Sequence, residues 1–321
     1  MTGRLTPIIG TSLAVRRAVS LLERYAPTRM PILLVGATGT GKDLFAQHIH
    51  DRSGRPGGFV DVDCGTLPRE MVEGLLLGYQ RGAFTGATED RVGLIEQSDR
   101  GTLFLDELLS LPEDGQRKLL RVLDTAEVRR LGDHRKRRLD LRVVAAAQDD
   151  AAERLAHGAF RRDLYERVSG VVISLPSLGE RLEDVLPLAR HFAALQGQRL
   201  EPDAEHVLED YPWPGNVREL QKVIARAKPL VENGVLPAAA VQEAIALGAP
   251  GQRAAAARDV AAGLTRSELR AVCMAHDWDG QRIAAALGVG RTTLFKRLKA
   301  CGLSLRQRAE FASSPCEANA N

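Results

Sequence analysis

The residues with the clearest chemistry are Gly36, Ala37, Thr38, Gly39, Thr40, Gly41, Lys42 and Asp43. They spell GxxxxGK directly after an apolar run at 32–35 and directly before a helical pattern carrying Leu44, Phe45 and Ile49. In that strand–loop–helix context the glycines let backbone N–H groups turn inward around phosphate oxygens. The helix N-terminus adds positive potential, and Lys42 supplies charge to the β and γ phosphates. The position after the lysine usually offers Mg2+ a Ser or Thr hydroxyl; here it is Asp43, whose carboxylate could act only through water. A second acidic strand end follows at Leu103, Phe104, Leu105, Asp106 and Glu107. Asp106 at the strand terminus can hold Mg2+, and Glu107 can polarise an attacking water. Together these motifs point to ATP and Mg2+ as cofactors. Between them lies Gly82-Ala83-Phe84-Thr85-Gly86-Ala87. Its glycines free the backbone on both sides of Phe84 and Thr85, which are expected at the tip of a mobile loop. An apolar ring there asks for a partner to cover it.

Elements must hold these groups in place. Compact apolar or β-branched runs at 32–35, 59–62, 102–105, 141–146 and 171–175 read as strands. Mostly helical patterns separate them, which predicts a parallel five-stranded sheet with helices on both faces over residues 8–175. From 176 to 247 no strand signal remains, and helices are expected at 181–195, 203–209, 217–231 and 237–246, giving an all-helical lid. Asn216 is a plausible N-cap in that stretch. Residues 248–263 are Gly/Ala-rich and read as a linker; 264–303 read as a small all-α unit and 304–321 as a fraying tail. Within the small unit, 265–276 is a helix with Thr265 and Glu268 at capping-box spacing. A short helix at 281–287, a turn at 288–290 and a second helix at 291–300 complete helix-turn-helix geometry. Arg291, Thr292, Thr293, Phe295 and Lys296 would reach base edges, while Arg297 and Lys299 would meet phosphate.

Composition narrows the class. Among the 321 residues the apolar runs, such as those at 32–35 and 143–147, are short and fall far below the ~20 residues a membrane helix needs. No signal-peptide core opens the chain, so a cytoplasmic location and no membrane partner are expected. Cys64, Cys273, Cys301 and Cys316 form no CxxC pair, and His48 and His50 have no ligand-spaced companions, which argues against a structural metal or a disulfide framework. The stretch from Thr265 to Glu310 holds nine basic and four acidic residues, a surplus of five. The whole chain is only +3, so the remainder is slightly acidic at −2. A basic C-terminal module on an acidic body predicts salt-sensitive binding to double-stranded DNA.

The GAFTGA hexapeptide, between the phosphate loop and Asp106, resembles that of the bacterial enhancer-binding activators of sigma-54 RNA polymerase, a branch of the AAA+ ATPases. The likeness runs over roughly residues 8–235, and the basic C-terminal unit resembles the family's Fis-type DNA-binding domain. The resemblance implies an α/β AAA+ P-loop ATPase with a helical lid and a helix-turn-helix domain. It also implies contact between Gly82–Ala87 and the sigma factor, dimers through the DNA-binding domain and a hexameric ring when active. Phe160-Arg161-Arg162-Asp163-Leu164-Tyr165-Glu166-Arg167 is similar to the family's FRxDLxxR, so Arg161 and Arg167 correspond to arginine fingers acting on a neighbour's nucleotide. Trp213-Pro214-Gly215-Asn216-Val217-Arg218-Glu219-Leu220 is similar to WPGNVREL, which makes Arg218 the second sensor of the γ-phosphate. The basic run Arg129, Arg130 and 135–138 matches the family's hairpin and is expected as a solvated loop facing a ring pore.

The chain departs from the family at several positions. Gly179 replaces an arginine at the start of the lid, Ala147 lacks the hydroxyl of the first sensor, and Gln148 stands where an amide or imidazole is common. Asp63 occupies a position often held by Asn, thought to restrain the catalytic glutamate, and Leu77-Gly78-Tyr79-Gln80-Arg81 departs from FGHEKG. Altered hydrolysis or coupling is expected from these, so a hydrolysis-impaired, nucleotide-binding DNA regulator is the alternative reading. With the ATPase starting by about residue 8, no N-terminal sensory domain is expected, and control would come from a regulatory protein in trans, from expression level, or from nothing.

Overall fold

The computed structural model describes residues 6–158, 160–248 and 266–276, with Trp278, Arg282, Ile283, Leu298, Cys301 and Leu303. Two compact units result. One contains residues up to Ser177 plus Gly215–Arg218; the other contains Leu178–Pro214 and residues from Glu219 onward.

The first unit is built on a five-stranded parallel sheet, as the sequence pattern predicts. Its strands are β1 (Ile32–Val35), β2 (Phe59–Asp63), β3 (Thr102–Asp106), β4 (Arg142–Ala147) and β5 (Val171–Ser174). The spatial order is β2-β3-β4-β1-β5. Period-two alternation divides their side chains between two cores. Ile32, Leu34, Phe104, Val144, Ala146 and Ile173 pack on one face under the helices Leu13–Tyr25 and Lys42–Arg52. Leu33, Leu103, Leu105, Val143, Ala145 and Ala147 pack on the other, under Val72–Leu77, Glu113–Thr125 and Arg162–Val168. Register sets the chemistry: Val35 lies opposite both Ala147 and Ser174, and Asp63 lies opposite Asp106. The phosphate loop and the acids therefore emerge at the same, C-terminal edge of the sheet, where parallel α/β folds bind ligands.

Arg142, at the opposite edge, is almost wholly buried, and among the described residues it has no acidic partner. Its guanidinium donates to the carbonyls of Tyr25, Ala26 and Thr28, where a cation complements the negative C-terminal end of helix Leu13–Tyr25. Burial pushes its pKa down to about 10.

The second unit contains helices Val185–Leu195, Pro202–Asp210 and Ala238–Gly248, and most of Asn216–Ala227. Among its described residues the one strand pairing is a two-residue parallel ladder of Arg199–Leu200 with Val235–Leu236, which the helical reading of 176–247 did not anticipate. Trp213 is buried, donates its indole N–H to Leu208 O at 2.8 Å and meets Tyr211 edge to face, so its ring serves packing. Near the C-terminus, helix Arg266–Ala275 supplies Leu269 and Cys273 to a small apolar cluster with Ile283, Leu298 and Leu303. The proposed DNA-reading residues Arg291, Thr292, Thr293, Phe295, Lys296, Arg297 and Lys299 lie outside the described residues, as do Thr265 and most of the expected linker.

Candidate functional site

The loop from Gly36 to Gly41 bends because its backbone must. Gly39 has φ +82°, and any Cβ there would sit 2.4 Å from Gly215 O, so both conformation and space exclude a side chain. Helix Lys42–Arg52 then starts at Gly41. Lys42 is buried, and its Nζ donates to Gly36 O at 2.7 Å and Ala37 O at 3.2 Å. Burial lowers its pKa, with Asp106, Asp43 and Asp149 opposing the shift. The ammonium thus lies over the loop that its charge would help to fill.

The two acids at the end of β3 differ in setting. Asp106 is half-buried; Oδ1 accepts the Glu107 N–H at 2.9 Å. Burial raises its pKa, an effect that the Glu107 N–H partly offsets. Glu107 has φ 48° and ψ 44°, left-handed backbone that a residue with a side chain seldom adopts. That turn sends its carboxylate sideways: a side chain on Gly65 would lie 2.7 Å from Glu107 Oε2 and 3.3 Å from Asp63 Oδ1. Asp63 Oδ1 already accepts the Gly65 N–H at 2.9 Å. Among the described residues no hydrogen bond joins Asp63 to Glu107, so the restraint the resemblance implies at this position is missing from this structure.

A cleft brings Lys42, Asp43, Asp106, Glu107, Gln148 and Arg218 onto one wall, with Thr38 and Gly39 beside them. Ala147 is buried and apolar, and both it and Gln148 line this cleft. Arg218 comes near through its N–H to Gly39 O at 3.2 Å and through Asn216, whose side-chain amide donates to Thr38 O at 2.9 Å. Asn216 opens its helix at φ 55°, and its side-chain amide ties this stretch to the phosphate loop. Arg218 Nη2 lies 3.5 Å from Asp43 Oδ2. Open backbone N–H groups, a lysine and an arginine fit a triphosphate, and the half-buried Asp106 carboxylate fits a hard cation such as Mg2+.

Arg161 and Arg167 line no part of this cleft. Arg161 is exposed and paired with Asp163 through two bonds of 3.0 and 2.6 Å. Arg167 donates to Leu123 O at 2.9 Å and faces Asp124 at 3.5 Å.

The hexapeptide is a closed loop, pinned by Gly82 N–H to Ala87 O at 2.8 Å and Ala87 N–H to Phe84 O at 3.0 Å. Gly82 and Gly86 have φ of +81° and +101°. Thr85 is exposed; Phe84 is 46% exposed, with its ring against Tyr79 at 5.0 Å and 71°. The stem is bonded to the basic hairpin, Gln80 N–H to Leu131 O and Leu131 N–H to Gly78 O. That hairpin is the antiparallel ribbon Glu127–Val128 with Arg137–Arg138. Its arginines are not all solvated, contrary to expectation: Arg130 grips Glu96 with two 2.8 Å bonds, and Arg137 joins both Glu96 and Asp133. The Arg130 guanidinium holds the Glu96 carboxyl below the usual carboxylate range.

Residues 8–174 match the model of the sigma-54 interaction domain. The chain belongs to the sigma-54 interaction domain family. Residues 179–259 match the AAA+ ATPase lid domain. NorR2 of Cupriavidus necator, a nitric oxide reductase transcription regulator, is 46% identical over 228 residues, 68% of this chain and 44% of that protein. DctD of Rhizobium meliloti, a C4-dicarboxylate transport transcriptional regulatory protein, is 36% identical over 315 residues, 95% of this chain and 66% of its own. The chain thus spans about half to two thirds of these relatives. The crystal structure of NtrX from Brucella abortus in complex with ATP superimposes with a TM-score of 0.71 at 29% identity, covering 92% of this chain and 70% of NtrX. The RuvB Holliday junction branch migration motor of Thermotoga maritima, 17% identical with a TM-score of 0.52, shares the fold alone.

The cleft gathers the sequence-predicted Lys42, Asp43, Asp106, Glu107 and Arg218. Sequence reading missed Asn216 as a tether, Asp43 as the partner of Arg218 and Gln148 as a cleft residue. The Asp43 departure yields a prediction. Asp43→Thr removes a carboxylate from beside the phosphates and restores a hydroxyl, and is expected to tighten ATP about three- to tenfold in a fluorescence titration. Weaker binding would show instead that the ion pair to Arg218 keeps the cleft competent.

Proposed function

We propose that this chain is an ATP-driven transcription activator that remodels sigma-54 RNA polymerase. The observation that carries the reading is one domain holding both the cleft of Lys42, Asp106, Glu107 and Arg218 and an exposed loop presenting Phe84 and Thr85. Lys42, the loop N–H groups and Arg218 bind the β and γ phosphates of ATP. Asp106 would hold Mg2+, which would supply positive charge beside the γ-phosphate. Glu107 accepts the proton of the attacking water. Arg161 and Arg167, outside their own cleft, act on the nucleotide of the neighbouring subunit, so hydrolysis requires a ring, which we take to be a hexamer. Movement of Gly82, Ala83, Phe84, Thr85, Gly86 and Ala87 with nucleotide state drives the promoter complex open. The basic C-terminal unit tethers the assembly to enhancer DNA, a reading supported by its surplus of five positive charges.

Phe84→Ala tests the loop. The ring is half exposed, so its loss should leave ATP turnover within about twofold. Binding of sigma-54 in the presence of ATP should disappear in a pull-down with purified proteins. Unchanged sigma-54 binding would remove the loop from the mechanism.

A further inference from the structure

The side chain of Gln116 makes two bonds that nothing in the motif pattern announces. It sits on helix Glu113–Thr125 and is 3% exposed. Its Nε2 donates to Leu111 O at 2.8 Å, and its Oε1 accepts the backbone N–H of Arg161 at 2.9 Å. Leu111 ends the turn that begins at Glu107: Ser110 N–H donates to Glu107 O at 2.7 Å, and Leu111 N–H to Leu108 O at 3.1 Å. Arg161 stands immediately before helix Arg162–Val168 with an exposed side chain. A single buried amide therefore bridges the turn after the water-polarising acid and the backbone of the candidate finger.

We propose that Gln116 is a positioning residue for Arg161, fixing where the guanidinium starts and tying it to the Glu107 turn of its own subunit. The proposal rests on the reading of Arg161 as a finger acting in trans. A buried amide with both ends bonded is rigid, and replacing it by an apolar group leaves the Arg161 N–H and the Leu111 carbonyl without these partners. A shift of the order of 1 Å at a charge-stabilising group costs up to about a hundredfold in rate. The bridge also gives a route by which the state of one nucleotide site can alter the finger offered to the next.

Gln116→Met keeps the volume and removes both bonds. In the full-length chain it is expected to bind ATP as tightly as the parent and to keep its KM, while kcat falls about ten- to a hundredfold. Mixing it with Lys42→Ala separates a finger defect from general damage. Lys42→Ala subunits bind no nucleotide but present intact fingers, so the mixture should turn over several-fold faster than the two proteins assayed apart. The same mixture made with Arg161→Ala is the control. Rescue of Arg161→Ala without rescue of Gln116→Met overturns the positioning role while leaving the finger reading standing. No rescue of either overturns the finger reading itself. If Gln116→Met loses ATP binding, Gln116→Asn carries the test, since it keeps the amide but draws it back by one methylene from Leu111 O and the Arg161 N–H. Its kcat should fall at unchanged KM and recover on mixing with Lys42→Ala, and a parental kcat would sink the proposal.

Discussion

Arg161→Ala is expected to lower kcat for ATP by about a thousandfold or more while ATP affinity changes less than about threefold. Charge spreads over the equatorial oxygens of the transferring phosphoryl group, and a guanidinium placed there is worth roughly 10³–10⁵ in rate. The protein's own cleft offers Lys42 and Arg218 but neither Arg161 nor Arg167. In the single chain Arg161 is paired with Asp163 instead, at its surface. That pairing costs little to break, because both partners are exposed. A neighbour's phosphates can therefore draw the arginine away. It follows that turnover per subunit should rise steeply with protein concentration as rings assemble. Steady-state phosphate release measured across a dilution series checks both points. Wild-type turnover independent of concentration, or an Arg161→Ala variant as fast as the parent, would place catalysis within a single subunit.

Glu107→Gln is expected to lower kcat by about 10²–10⁴, the usual contribution of a positioned general base. The substitution is isosteric, so the left-handed backbone at φ 48° and the Glu107 N–H bond to Asp106 are kept. What is lost is the proton acceptor beside the phosphates. Nucleotide binding should persist, because Lys42 and the phosphate loop are untouched, and the variant should trap ATP intact. Quench-flow single-turnover measurements distinguish this from slow product release: the chemical step itself must slow. A Gln variant with parental single-turnover rates would assign the proton to another group, and Asp63, on the far side of Gly65, would be the next to test.

The fold was legible wherever apolar runs were dense. All five strands were legible as apolar or β-branched runs: the three central ones, such as Ile32–Val35, are buried on both faces, while the edge strands Phe59–Asp63 and Val171–Ser174 are only partly buried. The ladder of Arg199–Leu200 with Val235–Leu236 was not legible, since two residues show no period. Charge was read less well than hydrophobicity. The run from Arg129 to Arg138 suggests solvated residues, yet Arg130 is held by Glu96, 34 positions earlier. Arg142 sits at the start of a strand, where an arginine reads as solvated, but it is buried because three carbonyls converge there. The site divides in the same way. Motif residues close in sequence announced themselves. Asn216 and Thr38, 178 positions apart, and Gln116 and Arg161, 45 apart, meet only because the chain folds.

The central claim is that ATP hydrolysis by this chain opens a sigma-54 promoter. The direct measurement is permanganate footprinting of melted promoter DNA with purified chain, sigma-54, core polymerase and a template carrying a sigma-54 promoter. Melting is predicted with ATP, none with a non-hydrolysable analogue, and none with Glu107→Gln or Phe84→Ala. Melting that proceeds equally well with the analogue, or that survives loss of Phe84, would contradict the account.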